Sequence, residues 1–556
     1  MQILDLRIMR GPNYWSVRHP RVIVLKVDLE EYYSVRTNQI DGFHDRLSML
    51  LPGMFSSIQG EETLTERLQR GTGLTEIITR VALELQIAAG MPVHYGKCYA
   101  AQERSACFSV FEYTDEFAGE YAAEEAFYLV EDLVKGLPYD IGKTINRLQQ
   151  LREEGLQEPI DAATEPKMPV IAVTGTNGKT TTTRLIAHLA RTAGYHVGNT
   201  SSDGIYINGQ LIEEGDTTGF MSAETILLDP RVNYAVLEVA RGGILKSGLA
   251  FLHCDIGIVT NVAADHLGLK DIHSIEEMAE VKSVVVQTVR ENGFAILNAD
   301  DELVLNMRQT LHCNIALYSL NPENSALQQH IDNGGVAALL KHGCLCLFHG
   351  DKTVIVEKAD AIPLSMGGRA RFNIANALAA VLAGYTAGFT IETVREGLCT
   401  FIPSAEQTPG RMNIFRFPDF EVLIDYAHNT HGLTALGEFL HATEATRKVG
   451  IIAVMGDRRD QDIISLGKTA AQLFDQIIIR ENEDFRDRGF ADIERLLMQG
   501  INDGESRPEV LVIPDEMDAI AHAVENATPG SFITVISENI PEAIALLQRL
   551  QSAEAA

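Results

Sequence analysis

The chain has 556 residues, too many for one hydrophobic core, which implies about two to four domains. Apolar residues make up 46% and aromatics 7%, the balance of an ordinary globular protein. A net charge of −30 argues against nucleic acid or an anionic membrane as the main partner, because either would repel it.

Residues 1–160 mix β-rich runs (Val22–Val27, Phe108–Tyr113) with helical ones (Leu74–Ala89, Glu120–Leu137) and read as a separate α+β domain. The polar stretch 153–168, with two prolines, reads as a linker. Strands and helices alternate from there, as in a mainly parallel sheet covered on both faces, giving a second domain over 168–405. After Phe401–Gly410 a new series of strands begins at Glu421, Gly450, Gln476, Val510 and Ser531. It predicts a third, open α/β domain over 406–556, with ligands at the carboxyl ends of its strands.

The run Val170-Ile-Ala-Val-Thr-Gly-Thr-Asn-Gly-Lys-Thr180 is a buried-strand pattern leading into a phosphate-binding loop and then a helix. Gly175 and Gly178 let backbone N–H groups approach phosphate, with Thr176, Asn177 and Thr181 completing the loop. Lys179 suits the outer phosphates, and Thr180 suits magnesium. The chain is therefore expected to use ATP and Mg2+. The strand Tyr234–Glu238 ends in a carboxylate, which makes Glu238 a second magnesium candidate. Asp265-His266, at the exit of the next strand, fits either a loop cap or metal ligation.

Seven cysteines are scattered along the chain, and the close pair Cys344 and Cys346 reads as two buried small hydrophobes. Reduced thiols suit a cytosolic compartment, no apolar run reaches transmembrane length, and the start Met1–Asp5 is unlike a secretory leader. A cytoplasmic location with no membrane partner is the expectation.

Six motifs carry a family resemblance: Gly175–Thr181, Leu237–Gly243, Thr260–Leu267, Phe372–Asn376, Pro409–Met412 and Asp425–Asn429. In this order they resemble the Mur ligases, which join a carboxylate to an amine. Glu238–Leu245, Asn261–Leu267, Ser365–Arg369 and the opening Met9–Ser16 are most similar to cyanophycin synthetases within that family. Those enzymes place an ATP-grasp domain between the amino-terminal domain and the Mur-like part, whereas here the linker joins the two directly. Some of them also carry an H-x-x-E-H helix. The matching residues are Glu76, Thr79 and Arg80, which predicts no zinc peptidase.

The resemblance implies an amide-forming ligase working through an acyl phosphate, with an acidic acceptor and an amino acid as substrates. It assigns Lys179, Glu238, His266 and Lys282 to catalysis, and Thr180, Glu238, His266 and Lys282 to magnesium. Lys282 would act as a carbamate, whereas from the residues alone it reads as a solvated or ion-paired helix lysine. Asn373, Asn376, Arg411, Asp425 and His428 fall to the nucleotide, and Arg241 and Arg486 to substrate. The acids Glu481, Glu483 and Asp484 either receive a basic side chain or are simply solvated. Thr430 stands where the family usually has proline. The resemblance favours a homo-oligomer; the rival reading is a nucleotide-binding scaffold without catalysis.

Overall fold

A computed structural model describes residues 1–55, 63–155, 162–482 and 488–554. The chain divides into two compact units. The first comprises Met1–Pro166, Gly219–Glu224 and Arg241–His253. Its antiparallel sheet runs in the order Gln2–Met9, Val22–Asp28, Ala106–Glu112, Gly96–Ala100. The β-branched run at Val22 pairs residue for residue with Ala106–Glu112, Val24 facing Val110. Helices Leu74–Ala88 and Glu116–Lys135 bury Ile77, Ile78, Val81 and Leu85 together with Ala122, Ala126, Leu129 and Leu133.

The helix Glu116–Lys135 starts where Asp115 accepts from Ala118 N–H at 2.8 Å and stops at Gly136, which is left-handed. On Leu74–Ala88, Glu76 lies between Arg67 (2.5 Å) and Arg80 (3.0 Å), and Thr79 bonds Ser109 at 2.7 Å. The Gly11-Pro12-Asn13 turn is fixed by contact: a Cβ on Gly11 would lie 1.7 Å from the carbonyl of Leu249. Buried Asn13 donates to the Gly11 carbonyl and accepts from Trp15 and Ser16 N–H.

The second unit holds two sheets. In the larger, Val170–Thr174 is central, flanked in parallel by Cys254–Val259 and Tyr234–Glu238. Beyond Cys254–Val259 come Val289–Asn298, Asn314–Ser319 and Val336–Lys341, parallel, and then the antiparallel Cys344–His349 and Lys352–Lys358. Beyond Tyr234–Glu238 come Val197–Ser201, parallel, and the antiparallel hairpin Gly204–Ile207 and Gln210–Glu214. Antiparallel additions thus finish both ends of a sheet whose core is parallel. Helix Lys179–Thr192 buries Leu185, Ile186 and Leu189 in the same core as the apolar run Ala377–Ala383 of helix Arg371–Thr386. Cys346 is buried and Cys344 half-buried.

The smaller sheet runs Asn413–Arg416, Glu421–Asp425, Ser531–Ile536, Arg447–Ile452, Gln476–Ile479, Glu509–Val512, parallel except for the first strand. Strands Gln2–Met9, Gly96–Ala100 and Asn413–Arg416 are additions to the sequence expectation. No helix among the described residues is long and apolar enough to cross a membrane.

Candidate nucleotide and metal site

Strand Val170–Thr174 delivers the chain into a loop that only glycine can build at two points. Gly175 has φ +152° and an added Cβ would sit 1.8 Å from Thr260 Oγ1; Gly178 has φ +82° and its Cβ would sit 2.4 Å from Asn376 Oδ1. The loop is pinned by its neighbour: Thr176 N–H donates to the Asn261 carbonyl (2.9 Å), and Asn177 N–H to Asn261 Oδ1 (2.9 Å). Thr260 Oγ1 and Asn261 Nδ2 both donate to the Asn177 carbonyl, at 2.7 and 3.0 Å. Gly178 caps helix Lys179–Thr192, whose first-turn N–H groups and positive dipole end favour an anion. Lys179 Nζ lies on the Thr176 carbonyl at 2.9 Å, and Thr181 is buried in the first turn.

Thr180 meets the carboxylate that ends the next strand. Its hydroxyl donates to Glu238 Oε1 at 3.2 Å and lies 3.0 Å from Ser202 Oγ; Ser202 N–H donates to Glu238 Oε2 at 3.1 Å. Glu238 is 2% exposed, and burial pushes its carboxyl above the ordinary range against the pull of the Lys179 and Arg411 cations. Arg411 reaches Ser202 Oγ through Nη2 (3.0 Å) while its guanidinium lies 4.5 Å over the Tyr426 ring. Asp425 accepts from Met412 N–H at 2.9 Å; burial raises its carboxyl too, opposed by Arg411.

A second cluster begins at Asn177. Its side-chain amide and that of Asn429 exchange two hydrogen bonds of 3.2 Å, and His431 Nδ1 lies 2.8 Å from Asn177 Nδ2. Asn429 Nδ2 also donates to Asp265 Oδ2 at 3.1 Å. Asp265 Oδ1 lies 2.6 Å from Arg458 Nη1, and His428 Nε2 lies 3.8 Å from Oδ2. His266, in a left-handed backbone conformation (φ +55°), sits 4.0 Å from Asp265 and 3.9 Å from Asp457. Burial raises the Asp265 carboxyl, but the nearby His428 and the charge of Arg458 outweigh it and hold it well below the usual range. Burial lowers His266 to about 4, with Asp265 pulling the other way.

Asn373 donates to the Leu364 carbonyl (3.1 Å), and Asn376 donates to Asn373 Oδ1 (3.1 Å), which lays this pair against Gly178. Lys282 is 3% exposed and donates to the Gly175 carbonyl at 2.8 Å, from beneath the loop. Arg241 opens the short helix Arg241–Lys246 in the first unit. Arg486, with Glu483 and Asp484, lies outside the described residues. Ser202, His431, Asp457 and Arg458 join the site without having been singled out by sequence. The only signal for the last two was a charged run, Asp457–Asp460, just beyond a predicted strand of the third series.

Two sets of donors could hold a divalent cation, one of oxygen ligands and one of a carboxylate with two imidazoles. Thr180 Oγ1 with Glu238 provides a hydroxyl and a buried carboxylate, a pairing suited to magnesium. Asp265, His266 and His428 each place one ligand atom within 4.8 Å of the others, although Arg458 already occupies one Asp265 oxygen.

A phosphate loop facing a buried strand-end carboxylate, with an arginine from a second α/β sheet beside it, defines a phosphate-binding P-loop protein. The family models match in three stretches: the Mur ligase middle domain over 173–384, the Mur ligase, glutamate ligase domain over 410–539, and a cyanophycin synthase-like N-terminal domain over 24–135. The chain belongs to the Mur ligase family and carries a cyanophycin synthase-like amino-terminal domain.

Among its relatives, the cyanophycin synthetase of Crocosphaera subtropica is 48% identical over 383 residues, covering 69% of this chain and 44% of that protein. A UDP-N-acetylmuramoyl-L-alanyl-D-glutamate–2,6-diaminopimelate ligase of Geobacillus thermodenitrificans is 27% identical, covering 66% and 73%. The matched stretch thus spans less than half the length of the cyanophycin synthetase. The fold is shared with a bifunctional folylpolyglutamate synthase/dihydrofolate synthase solved with Mn, AMPPNP and L-glutamate (TM-score 0.52, 20% identity, 68% of this chain and 89% of that one). It is shared also with E. coli FolC in complex with DHPP and ADP (TM-score 0.51, 19% identity, 70% and 90%).

Proposed function

We propose that the protein is an ATP-dependent carboxylate–amine ligase that activates an acidic acceptor as an acyl phosphate and couples it to an amino acid. The observation that carries this reading is the Thr180–Glu238 contact of 3.2 Å inside a phosphate loop, with Arg411 held 3.0 Å from Ser202 beside it. A carboxylate oxygen of the acceptor attacks the γ-phosphorus and the bond to ADP breaks. The amine nitrogen then attacks the acyl carbon, phosphate leaves, and the nitrogen gives up a proton to form the amide.

In this scheme Gly175, Thr176, Asn177, Gly178 and Thr181 cradle the phosphates through backbone N–H groups, and Lys179 swings from the Thr176 carbonyl to the outer phosphates. Thr180 and Glu238 hold magnesium, with His266 and a carbamate of Lys282 at a second ion. When bound, magnesium supplies positive charge to the phosphoryl oxygens. Asn373 and Asn376 serve the adenine side, and Arg411, Asp425 and His428 bring the smaller sheet onto the nucleotide. Arg241 and Arg486 meet substrate.

By analogy with the cyanophycin synthetases it resembles, the acceptor is aspartyl and the amine is arginine or another amino acid. We read the working parts as an amino-terminal domain of 1–160, an ATP-binding domain of 168–405 and a carboxy-terminal domain of 406–556, in a cytoplasmic homo-oligomer. The spans of the three family matches support that division.

The test is ADP and phosphate release by the purified chain with aspartyl and glutamyl acceptors and single amino acids, with mass spectrometry of the products. Release that needs both substrates and disappears in Lys179→Ala is the expected result. Nucleotide binding without release from any pair would overturn ligation in favour of a scaffold.

A further inference from the structure

Only Val239 and Ala240 separate Glu238 from Arg241 in the chain, yet the segment Arg241–His253 packs within the first unit. It opens as helix Arg241–Lys246 and continues as a loop that both ends of the amino-terminal domain hold by its backbone. From the opening turn, Arg10 N–H donates to the Ser247 carbonyl (2.8 Å), and the Pro12 carbonyl accepts from Leu249 N–H (2.9 Å). From the far end, Thr164 N–H donates to the Ala250 carbonyl (3.0 Å), and the Thr164 carbonyl accepts from Leu252 N–H (2.9 Å). Ala163 N–H donates to the Arg10 carbonyl (2.9 Å), which ties the two ends to each other.

Glycine permits this approach on both sides. A Cβ on Gly248, at φ +82°, would lie 2.4 Å from the Gly11 carbonyl oxygen, just as one on Gly11 would strike Leu249. Gly248 also ends the helix: its N–H and that of Ser247 donate to the Gly243 carbonyl at 3.2 and 3.0 Å. The turn is held rigidly in its own right. Buried Asn13 uses both amide donors on the Gly11 and Pro20 carbonyls (2.8 and 3.3 Å), while its oxygen accepts from Trp15 and Ser16 N–H (2.9 and 3.0 Å). Arg10 forks onto Glu116, in the first turn of helix Glu116–Lys135, at 2.7 and 3.0 Å. A helix as short as Arg241–Lys246 is not stable alone, so its direction comes from what holds it: the burial of Ile244 and Leu245 along its side and the turn at its end.

We propose that the Arg10–Asn13 turn positions Arg241 for the acidic acceptor, with Arg10 and Asn13 as positioning residues. The amino-terminal domain then acts on ligation through the backbone of Ser247–Leu249, not through a side chain on the reacting atoms. This inference rests on the ligase reading, which gives Arg241 its substrate.

The first arm compares wild type with Asn13→Ala and Arg10→Ala, measuring the KM of the aspartyl acceptor at saturating ATP and amino acid, and the affinity for ADP. The acceptor KM should rise about tenfold, while ADP affinity stays within about threefold of wild type. Ile78→Val loosens the core of the same domain away from the turn, and there the acceptor KM should stay within about twofold. The second arm repeats Asn13→Ala in an Arg241→Ala background. A turn that works through Arg241 should then change the acceptor KM less than about twofold. The third arm needs no catalysis: amides of 241–253 should exchange with deuterium about tenfold faster in Asn13→Ala, with those of 175–181 unchanged.

An acceptor KM unmoved in both single variants would overturn the proposal, as would the full effect persisting in the Arg241→Ala background or unaltered exchange over 241–253. Should Asn13→Ala fail to fold by circular dichroism, Asn13→Ser, whose hydroxyl still accepts from a nearby N–H, decides with Arg10→Ala. A wild type that ligates while its acceptor KM ignores the turn removes this inference alone. A wild type that ligates nothing removes the ligase reading and this inference with it.

Discussion

Thr180 Oγ1 donates to Glu238 Oε1 across 3.2 Å, joining the first turn of a helix to the last residue of a neighbouring strand. Burial pushes the Glu238 carboxyl up against the pull of Lys179 and Arg411, so burial penalises its charged form. Glu238→Gln should therefore melt no lower than wild type, and a gain of about 1 kcal/mol would raise Tm by roughly 1 °C in a chain of this length. Phosphate release should fall by about 10²–10³-fold. Differential scanning calorimetry beside a phosphate assay reads both, and a Glu238→Gln protein with full activity would remove the carboxylate from the chemistry.

Gly178→Ala places a Cβ 2.4 Å from Asn376 Oδ1 at φ +82°. The backbone strain is about 1–3 kcal/mol, and the displaced loop should lose nucleotide. Fluorescent nucleotide titration and urea unfolding are the measurements. Gly242→Ala, where an added Cβ meets nothing within 4 Å, is the control and should cost little.

The buried imidazoles of His266 and His188 should each subtract stability as the solution is acidified from about pH 6.5 towards pH 4, while the raised carboxyls of Glu238 and Asp425 work the other way. Burial lowers both histidines to about 4, while the unfolded chain takes up those protons near 6.5. At these two sites the unfolded state binds more protons in that window, so acid favours it. Urea midpoints at pH 7 and pH 5 measure the slope. His188→Gln should flatten it, since His188 contacts Thr400 Oγ1 at 2.8 Å and lies outside the nucleotide site.

Lys282 Nζ supports the Gly175 carbonyl at 2.8 Å from a buried position. Lys282→Ala should lose activity, and removing the buried donor should cost about 1–3 kcal/mol. If the lysine works as a carbamate, wild type should slow in carbon dioxide-depleted buffer and recover with bicarbonate. Insensitivity to bicarbonate, with activity lost in the variant, would assign Lys282 to holding the loop.

The phosphate loop and Glu238 were legible in sequence because each is a contiguous signal: a strand, then glycines, lysine and threonine, or a strand ending in an acid. The same is true of strands Gln476–Ile479 and Ser531–Ile536, found at the residues expected. Gly96–Ala100 escaped because all five residues are exposed, so the run carries no apolar alternation. Arg458 escaped for another reason. Its partner Asp265 lies far away in the chain, and that pairing is not written in residue order.

The paired amides of Asn177 and Asn429 give the phosphate loop a second task. One end of Asn177 belongs to the cradle and the other to the sheet that carries Arg411 and Arg458. Any ligand that alters this handshake alters the affinity at both ends. By thermodynamic reciprocity, whatever factor a ligand at the phosphate loop adds to binding on the smaller sheet is returned in full to that ligand. The exchanged amides thus place one asparagine where a change on either side is felt on the other.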